Sequence, residues 1–170
     1  KSIAQILKAG WYLLELINEI LDLAQIESGK LSLSMEPVAL NEVMGECEAM
    51  IEPQAKKRGI RLSFERFEKP CFVQADRTRV KQVLINLLSN AIKYNKVDGS
   101  VSVTGTLIDP DLIRISVRDS GAGLSAEQLA QLFTPFNRLG QEEKDTEGTG
   151  IGLVVSKRLD TGSTWPLTNN

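Results

Sequence analysis

The 170-residue chain contains no histidine. That absence removes most zinc sites, serine–histidine triads and imidazole acid–base chemistry at once. Cysteine is scarce. Cys47 and Cys71 lie far apart within apolar patterns and read as buried free thiols rather than a disulfide or metal pair. No apolar run approaches the roughly 18 residues of a membrane span. The N-terminus is amphipathic, not a charged region followed by an apolar block, so no signal peptide is expected. Lys and Arg number 20 against 22 Asp and Glu, a net charge of −2. Non-specific nucleic-acid binding would favour a basic surface, so nucleic acid is not an expected partner. The rest is ordinary globular material, 42% hydrophobic and 25% charged, enough for one domain plus an extra element.

The first 28 residues carry Ile3, Ile6, Leu7, Gly10, Leu13, Leu14, Ile17, Leu21 and Ala24 at three- and four-residue steps. This is the seam of a packed helical hairpin or coiled coil, and it predicts a long helix in need of a partner, ending at Ser28-Gly29. Leu31 to Leu40 alternates and then meets Pro37, which reads as a short strand or extended linker. A helix is expected from about Asn41, with Val43, Cys47, Met50, Ile51 and Ala55 inward and a kink at Pro53. Lys56-Lys57-Arg58-Gly59 should end it. Ile60, Leu62 and Phe64 alternate as a strand, and Pro70 to Val73 reads as a second. Asp76 is a good N-cap for a helix from Arg77 to about Tyr94. Asp98-Gly99 marks a turn. Val101 and Val103, extending toward Gly105 and Leu107, form a strand. After a turn at Asp109-Pro110-Asp111, Ile113, Ile115 and Val117 form its antiparallel neighbour. The expectation is an α+β fold: a two-layer α/β sandwich, its mixed, mostly antiparallel sheet covered on one face by helices and preceded by a long N-terminal helix.

Three polar clusters interrupt this pattern. Asn86, Asn90 and Lys93 are spaced four and three apart, so they share one face of the central helix, flanked by Val83, Leu84, Leu87, Leu88 and Ala91. Asn is a mediocre helix former, so the pair needs either a mutual hydrogen bond or a ligand. Asp119-Ser120-Gly121-Ala122-Gly123-Leu124 follows a buried strand. It is either a plain turn or a place where a carboxylate accepts from an amine and glycine admits a close approach. Ser125 to Gln128 resembles a capping box opening a short helix. Asn137 to Glu147 is charged and reads as a mobile lid. Gly148-Thr149-Gly150-Ile151-Gly152-Leu153 then opens a further helix. That is a flexible entry or a phosphate cradle, and it matches neither Rossmann nor Walker A spacing.

Together these residues resemble a known family. Asn86-x-x-x-Asn90-x-x-Lys93-Tyr94 is similar to the N box, Asp119 to Leu124 to the G1 box, Phe133-Thr134-Pro135-Phe136-x-Arg138 to the F box, and Gly148 to Leu153 to the G2 box of sensor histidine kinases. Their superfamily, which includes DNA gyrase, Hsp90 and MutL, has the Bergerat-type ATP-binding fold. Leu13 to Leu23 and Ile26 to Leu31 resemble the second helix of the kinase dimerisation hairpin and its linker. The resemblance implies ATP and Mg²⁺ as cofactors. It gives Asn86 to the Mg²⁺ and places Asn90 by metal and phosphates. It sets Lys93 against phosphate charge, Tyr94 against adenine or ribose, and Asp119 on the adenine amine. Gly121 and Gly123 would let the base slide along the backbone. Phe133 and Phe136 would anchor the lid, Arg138 would reach the phosphates, and Gly148, Thr149, Gly150, Ile151, Gly152 and Leu153 would wrap them. The ATPase members carry Glu where Asn86 stands. An amide cannot take a proton from water, so phosphoryl transfer is favoured over hydrolysis.

The resemblance also implies what lies elsewhere. The phosphoacceptor His belongs on the hairpin's first helix, so this chain reads as a fragment unable to phosphorylate itself. Residues 1–30 would be part of the hairpin, 31–40 a linker or first strand, 41–158 the catalytic domain, and 159–170 an atypical tail. Because that tail departs from the family pattern after Leu159, an incomplete sheet and marginal stability are expected. Homodimerisation through the N-terminal helix, a response-regulator receiver domain as partner, and a cytoplasmic location follow from the same resemblance. Two alternatives stay open: a catalytically silent nucleotide-binding pseudokinase, and an anti-sigma-type serine kinase.

Overall fold

The computed structural model describes residues 2–109, 112–135 and 152. The chain divides into two units, residues 1–32 with 126–170, and Leu33–Ser125. In the first unit, helix α1 (Ser2–Glu27) buries none of its residues. Ile3 is 74% exposed and Trp11 69%, and Leu13, Leu14, Ile17 and Leu21 also face solvent. The apolar stripe expected from the spacing is therefore present and uncovered among the described residues. The helix ends as its sequence asks. Gly29 adopts φ +68°, its N–H bonds to Ile26, and the Lys30 N–H reaches back to Gln25, the paired bonds of a Schellman cap.

In the second unit, β1 (Glu36–Ala39) leads directly into α2 (Leu40–Lys57). This helix continues through Pro53 as one element. Its buried face is Leu40, Val43, Met44, Cys47, Ile51 and Ala55. Met50, expected inward, is 59% exposed, and Met44 takes the core place instead. Met44 lies three and seven residues before Cys47 and Ile51, the helical repeat that keeps it in line with them. Lys56 and Lys57 occupy the last turn, and Gly59 at φ +67° closes the helix with the same paired bonds, Gly59 N–H to Lys56 and Ile60 N–H to Ala55.

Strand β2 (Arg61–Glu65) and strand β3 (Phe72–Ala75) follow, then α3 (Arg77–Lys93), β4 (Ser100–Asp109) and β5 (Leu112–Asp119). The strands form two sheets. β1 pairs antiparallel with β3, Val38 opposite Val73. β2 pairs parallel with β4, Phe64 opposite Val103, and β4 pairs antiparallel with β5, Val103 opposite Val117. Two of the three pairings are antiparallel, so the mixed, mostly antiparallel character holds. The short β1–β3 ribbon is separate from the main sheet, a partition the sequence did not reveal. The core lies between α2 and α3 and the sheets: Val43, Met44, Cys47, Leu88, Ile92, Val101 and Val103 are essentially inaccessible. Each fully buried aliphatic side chain of this kind contributes about 1.5–3 kcal/mol relative to exposure. Burial pushes the Cys47 thiol up to about 11, so it packs as a neutral group. Cys71, also free, is half-buried rather than buried.

Polar contacts fix how these layers meet. Glu46 of α2 accepts from Arg77 and from Lys81 (2.7 Å) of α3. Chiefly through the Lys81 hydrogen bond, its carboxyl is held below the usual range. Asn41 clamps the Phe67 backbone, donating to its carbonyl and accepting from its N–H, each at 2.9 Å. The Phe67 ring occupies the place a side chain at position 105 would need, which is why β4 carries Gly105 there.

Candidate functional site

Helix α3 is positioned at both ends. Asp76, the N-cap, accepts from the Arg79 N–H at 3.1 Å through one carboxylate oxygen and from the Ser34 N–H at 3.0 Å through the other. At the far end Arg58 donates to the Lys93 carbonyl at 2.8 Å, answering one of the carbonyls a helix end leaves unpaired. Between these anchors Val80, Leu84, Leu88, Ala91 and Ile92 are buried. Asn86, Asn90 and Lys93 each fall two residues after a buried position, ~200° around the helix at ~100° per residue. They form the opposite face, half-buried. Seven residues separate Asn86 from Lys93, about 10 Å of helix. Tyr94 is the C-cap, 41% exposed, so the helix stops one residue earlier than expected.

Asp119 ends β5 and is exposed, as are Gly123 and Leu124. Its Oδ1 accepts from the Gly121 N–H at 2.7 Å, the local turn expected of an Asp before small residues. Its other oxygen, Oδ2, has no hydrogen-bond partner among the described residues. The two glycines of this loop have different reasons to be glycine. Gly123 sits at φ +73° in open space, a left-handed conformation that costs an L-residue ~1–2 kcal/mol. Gly121 is pressed against the protein: a Cβ there would stand 2.7 Å from the Tyr94 carbonyl oxygen and 2.7 Å from Asp119 Oδ1. The loop thus docks on the C-terminal end of α3, which brings Asp119 to the Tyr94 end of the Asn86–Asn90–Lys93 face.

A further contact, which sequence reasoning missed, secures that junction. Asn95 donates to the Ser100 carbonyl (3.0 Å) and accepts from the Ser120 hydroxyl (3.0 Å). Ser120 accepts from the Ser100 N–H (2.9 Å), and its own N–H returns to the Ser100 carbonyl (3.1 Å). Buried Gly99 lies beneath, where a side chain would strike Asn95 and Ser120. The available signal was Asn just beyond a helix end and Gly before a strand, both ordinary for turns. Nothing local identifies Ser120 as their partner.

The remaining predicted site residues divide in two. Phe133, half-buried, follows the short helix α4 (Ala126–Gln131), and Gly152 is helical and half-buried. Both belong to the first unit. Phe136, Arg138, the segment 137–147, Gly148, Thr149, Gly150, Ile151, Leu153 and the tail 159–170 lie outside the described residues. A cavity of about 410 Å³ between α2 and β2, lined by Gly45, Ala49, Ile60 and Leu62 and rimmed by the ion pairs Glu48–Arg66 and Glu52–Lys56, contains none of the predicted residues.

The helix-covered mixed sheet and the acid–glycine loop docked on a polar helix define a class, and comparison with known proteins names it. Residues 75–166 match the model of the histidine kinase-, DNA gyrase B- and HSP90-like ATPases, and the chain belongs to that family. It is 43% identical over 157 residues to the Non-motile and phage-resistance protein of Caulobacter vibrioides, covering 90% of this chain and 18% of that protein. The structure of full-length ShkA in complex with AMPPNP superposes with a TM-score of 0.83 at 28% identity, covering 96% of this chain and 34% of that one. Histidine kinase ThkA, solved in complex with the response regulator protein TrrA, superposes with a TM-score of 0.71 at 28% identity, covering 97% of this chain and 45% of that one. The chain spans 16–29% of the length of the first curated relatives it matches.

Proposed function

We propose that this chain is the ATP-binding catalytic part of a two-component sensor histidine kinase. It transfers the γ-phosphoryl group of ATP to a His on a helical hairpin partly outside this sequence, and thence to an Asp of a response-regulator receiver domain. The observation that carries this reading is the docking of the Asp119 loop on the Tyr94 end of α3. One acceptor for a base amine then stands at one end of a ~10 Å polar face of two amides and an ammonium. Asp119 Oδ2 accepts the adenine amine. Lys93 and Asn90 face the phosphates, where stabilising charge on the transferred group is the main catalytic task. Mg²⁺ binds through one or two protein oxygens together with phosphates and water, and the half-buried Asn86 amide is a donor of that kind. Bound there, the ion would neutralise phosphate charge. Asn86 cannot act as a base toward water, which favours transfer over hydrolysis.

The remaining parts of the chain follow the same reading. Phe133 and Phe136 anchor a lid, Arg138 reaches the phosphates, and the stretch from Gly148 to Leu153 wraps them. Residues 1–30 belong to the dimerisation hairpin, 31–40 to the linker or first strand and 41–158 to the catalytic domain. The uncovered stripe of α1 pairs within a homodimer. No helix among the described residues is long and apolar enough to cross a membrane, and the catalytic part acts in the cytoplasm. The test is titration of ATP and Mg²⁺ into wild type and Asn86→Ala, followed by phosphotransfer to an added His-bearing hairpin. Wild type should bind and transfer, and Asn86→Ala should lose transfer. Wild type that binds no ATP, or Asn86→Ala that transfers normally, refutes the proposal.

A further inference from the structure

We infer that Asn95 and Ser120 are positioning residues that set the base selectivity of this site, acting through Asp119; the inference rests on the nucleotide-binding reading above. Their hydrogen bonds form a closed ring in which each polar atom has a partner. Asn95 Nδ2 donates to the Ser100 carbonyl, the Ser100 N–H donates to Ser120 Oγ, and the Ser120 hydroxyl donates to Asn95 Oδ1. Asn95 Oδ1 also accepts from the Lys96 N–H at 2.9 Å, so the amide cannot flip without losing several bonds together. Ser120 is the residue directly after Asp119, and Gly121, directly after that, both bonds Asp119 Oδ1 and abuts the Tyr94 carbonyl. The direction in which Asp119 Oδ2 points is therefore set from both sides, by the ring at Ser120 and by the seam at Gly121.

A carboxylate oxygen accepts from the 6-amino group of adenine but faces an oxygen at the corresponding position of guanine. Discrimination between the two depends on holding that oxygen in place, because a free carboxylate swings away from a mismatched base at little cost. Breaking the ring should thus weaken ATP binding while leaving GTP binding, already without this bond, nearly unchanged. The loss of one or two hydrogen bonds corresponds to about tenfold in affinity.

The experiment measures dissociation constants for ATP and GTP with the 170-residue chain and its variants Ser120→Ala, Ser120→Thr, Asn95→Ala and Asp119→Asn, with thermal melting of each. The expected result is an ATP:GTP preference reduced about tenfold in Ser120→Ala and Asn95→Ala and restored in Ser120→Thr, which keeps the hydroxyl. General loosening of the fold would lower both affinities alike and leave the ratio intact; that outcome overturns the inference. So does a wild-type ratio in Ser120→Ala, which decides the matter even where Asn95→Ala does not fold. A collapsed ratio in Asp119→Asn beside an unchanged Ser120→Ala overturns the inference and spares the site assignment. An unchanged ratio in Asp119→Asn overturns both.

Discussion

Replacing Gly121 by alanine perturbs the close backbone contact between the acidic loop and the end of the polar helix. The new Cβ would meet the Tyr94 carbonyl oxygen at 2.7 Å, Asp119 Oδ1 at 2.7 Å and the Asn95 Cα at 3.5 Å, where ordinary contact begins near 3.4 Å. The Tyr94 oxygen is main chain at the cap of α3 and cannot turn aside as a side chain could. Relief must come from shifting the loop, which carries Asp119 with it, or from loosening the helix end. Overpacking of this kind costs about 1–3 kcal/mol. Spread over a unit the size of Leu33–Ser125, each kcal/mol lowers the melting temperature by roughly 4–8 °C. If the strain is relieved by moving Asp119 instead, each ~1.4 kcal/mol appears as a tenfold loss of ATP affinity. The assay is a melt and an ATP titration on the same sample, with position 123 as control. Gly123 is left-handed but unobstructed, and Asn tolerates that conformation, so Gly123→Asn should approach wild type while Gly121→Asn should not. Gly121→Ala with wild-type stability and wild-type ATP affinity would refute the argument that this glycine serves protein packing.

Two further outcomes follow from the scaffold. Asp76→Ala removes the α3 cap and the acceptor for the Ser34 N–H together. It should cost about 0.5–2 kcal/mol for the cap, with some addition for the second bond, read by urea denaturation. Glu46 has a carboxyl lowered chiefly by Lys81, so its contribution is present above the unfolded value and is lost as pH falls through the folded one. Melting temperature followed downward from pH 6 should therefore fall less steeply below about pH 4 in Glu46→Gln than in wild type, and equal slopes would remove Glu46 from the acid response.

Much of this fold was legible because its determinants are local. Asp76, the apolar repeat of α3 and the cations and glycine at 56–59 each specify a helix boundary within a few residues, and the structure follows them. The Asn86–Asn90–Lys93 face was equally legible, since spacing alone sets it. What the sequence withheld depends on partners distant in the chain. The separation of β1–β3 from the main sheet is one case. The exchange of Met50 for Met44 in the core is another, because both fit an apolar stripe and only the packed neighbours choose between them. The close approach of Gly121 to the Tyr94 carbonyl is a third, because the two residues lie far apart in sequence. The ring of Asn95, Ser100 and Ser120 was invisible for the same reason.

The strand pairings carry one more consequence. In chain order β1 joins β3 and β2 joins β4, so the two closing arcs overlap like interlocked brackets. Neither sheet can close within a contiguous stretch that leaves the other untouched. A growing chain emerging from the ribosome holds β1, α2 and β2 without any strand partner until β3 appears, and the main sheet has no second strand until β4 follows. The loop-closure entropy of each arc must be met before the β1–β3 and β2–β4 contacts are made, whereas the β4–β5 hairpin closes locally, and it is the two long arcs that slow folding. A break anywhere between residues 66 and 71 parts both of these arcs at once, so it leaves β1 and β2 on one piece and their partners β3 and β4 on the other.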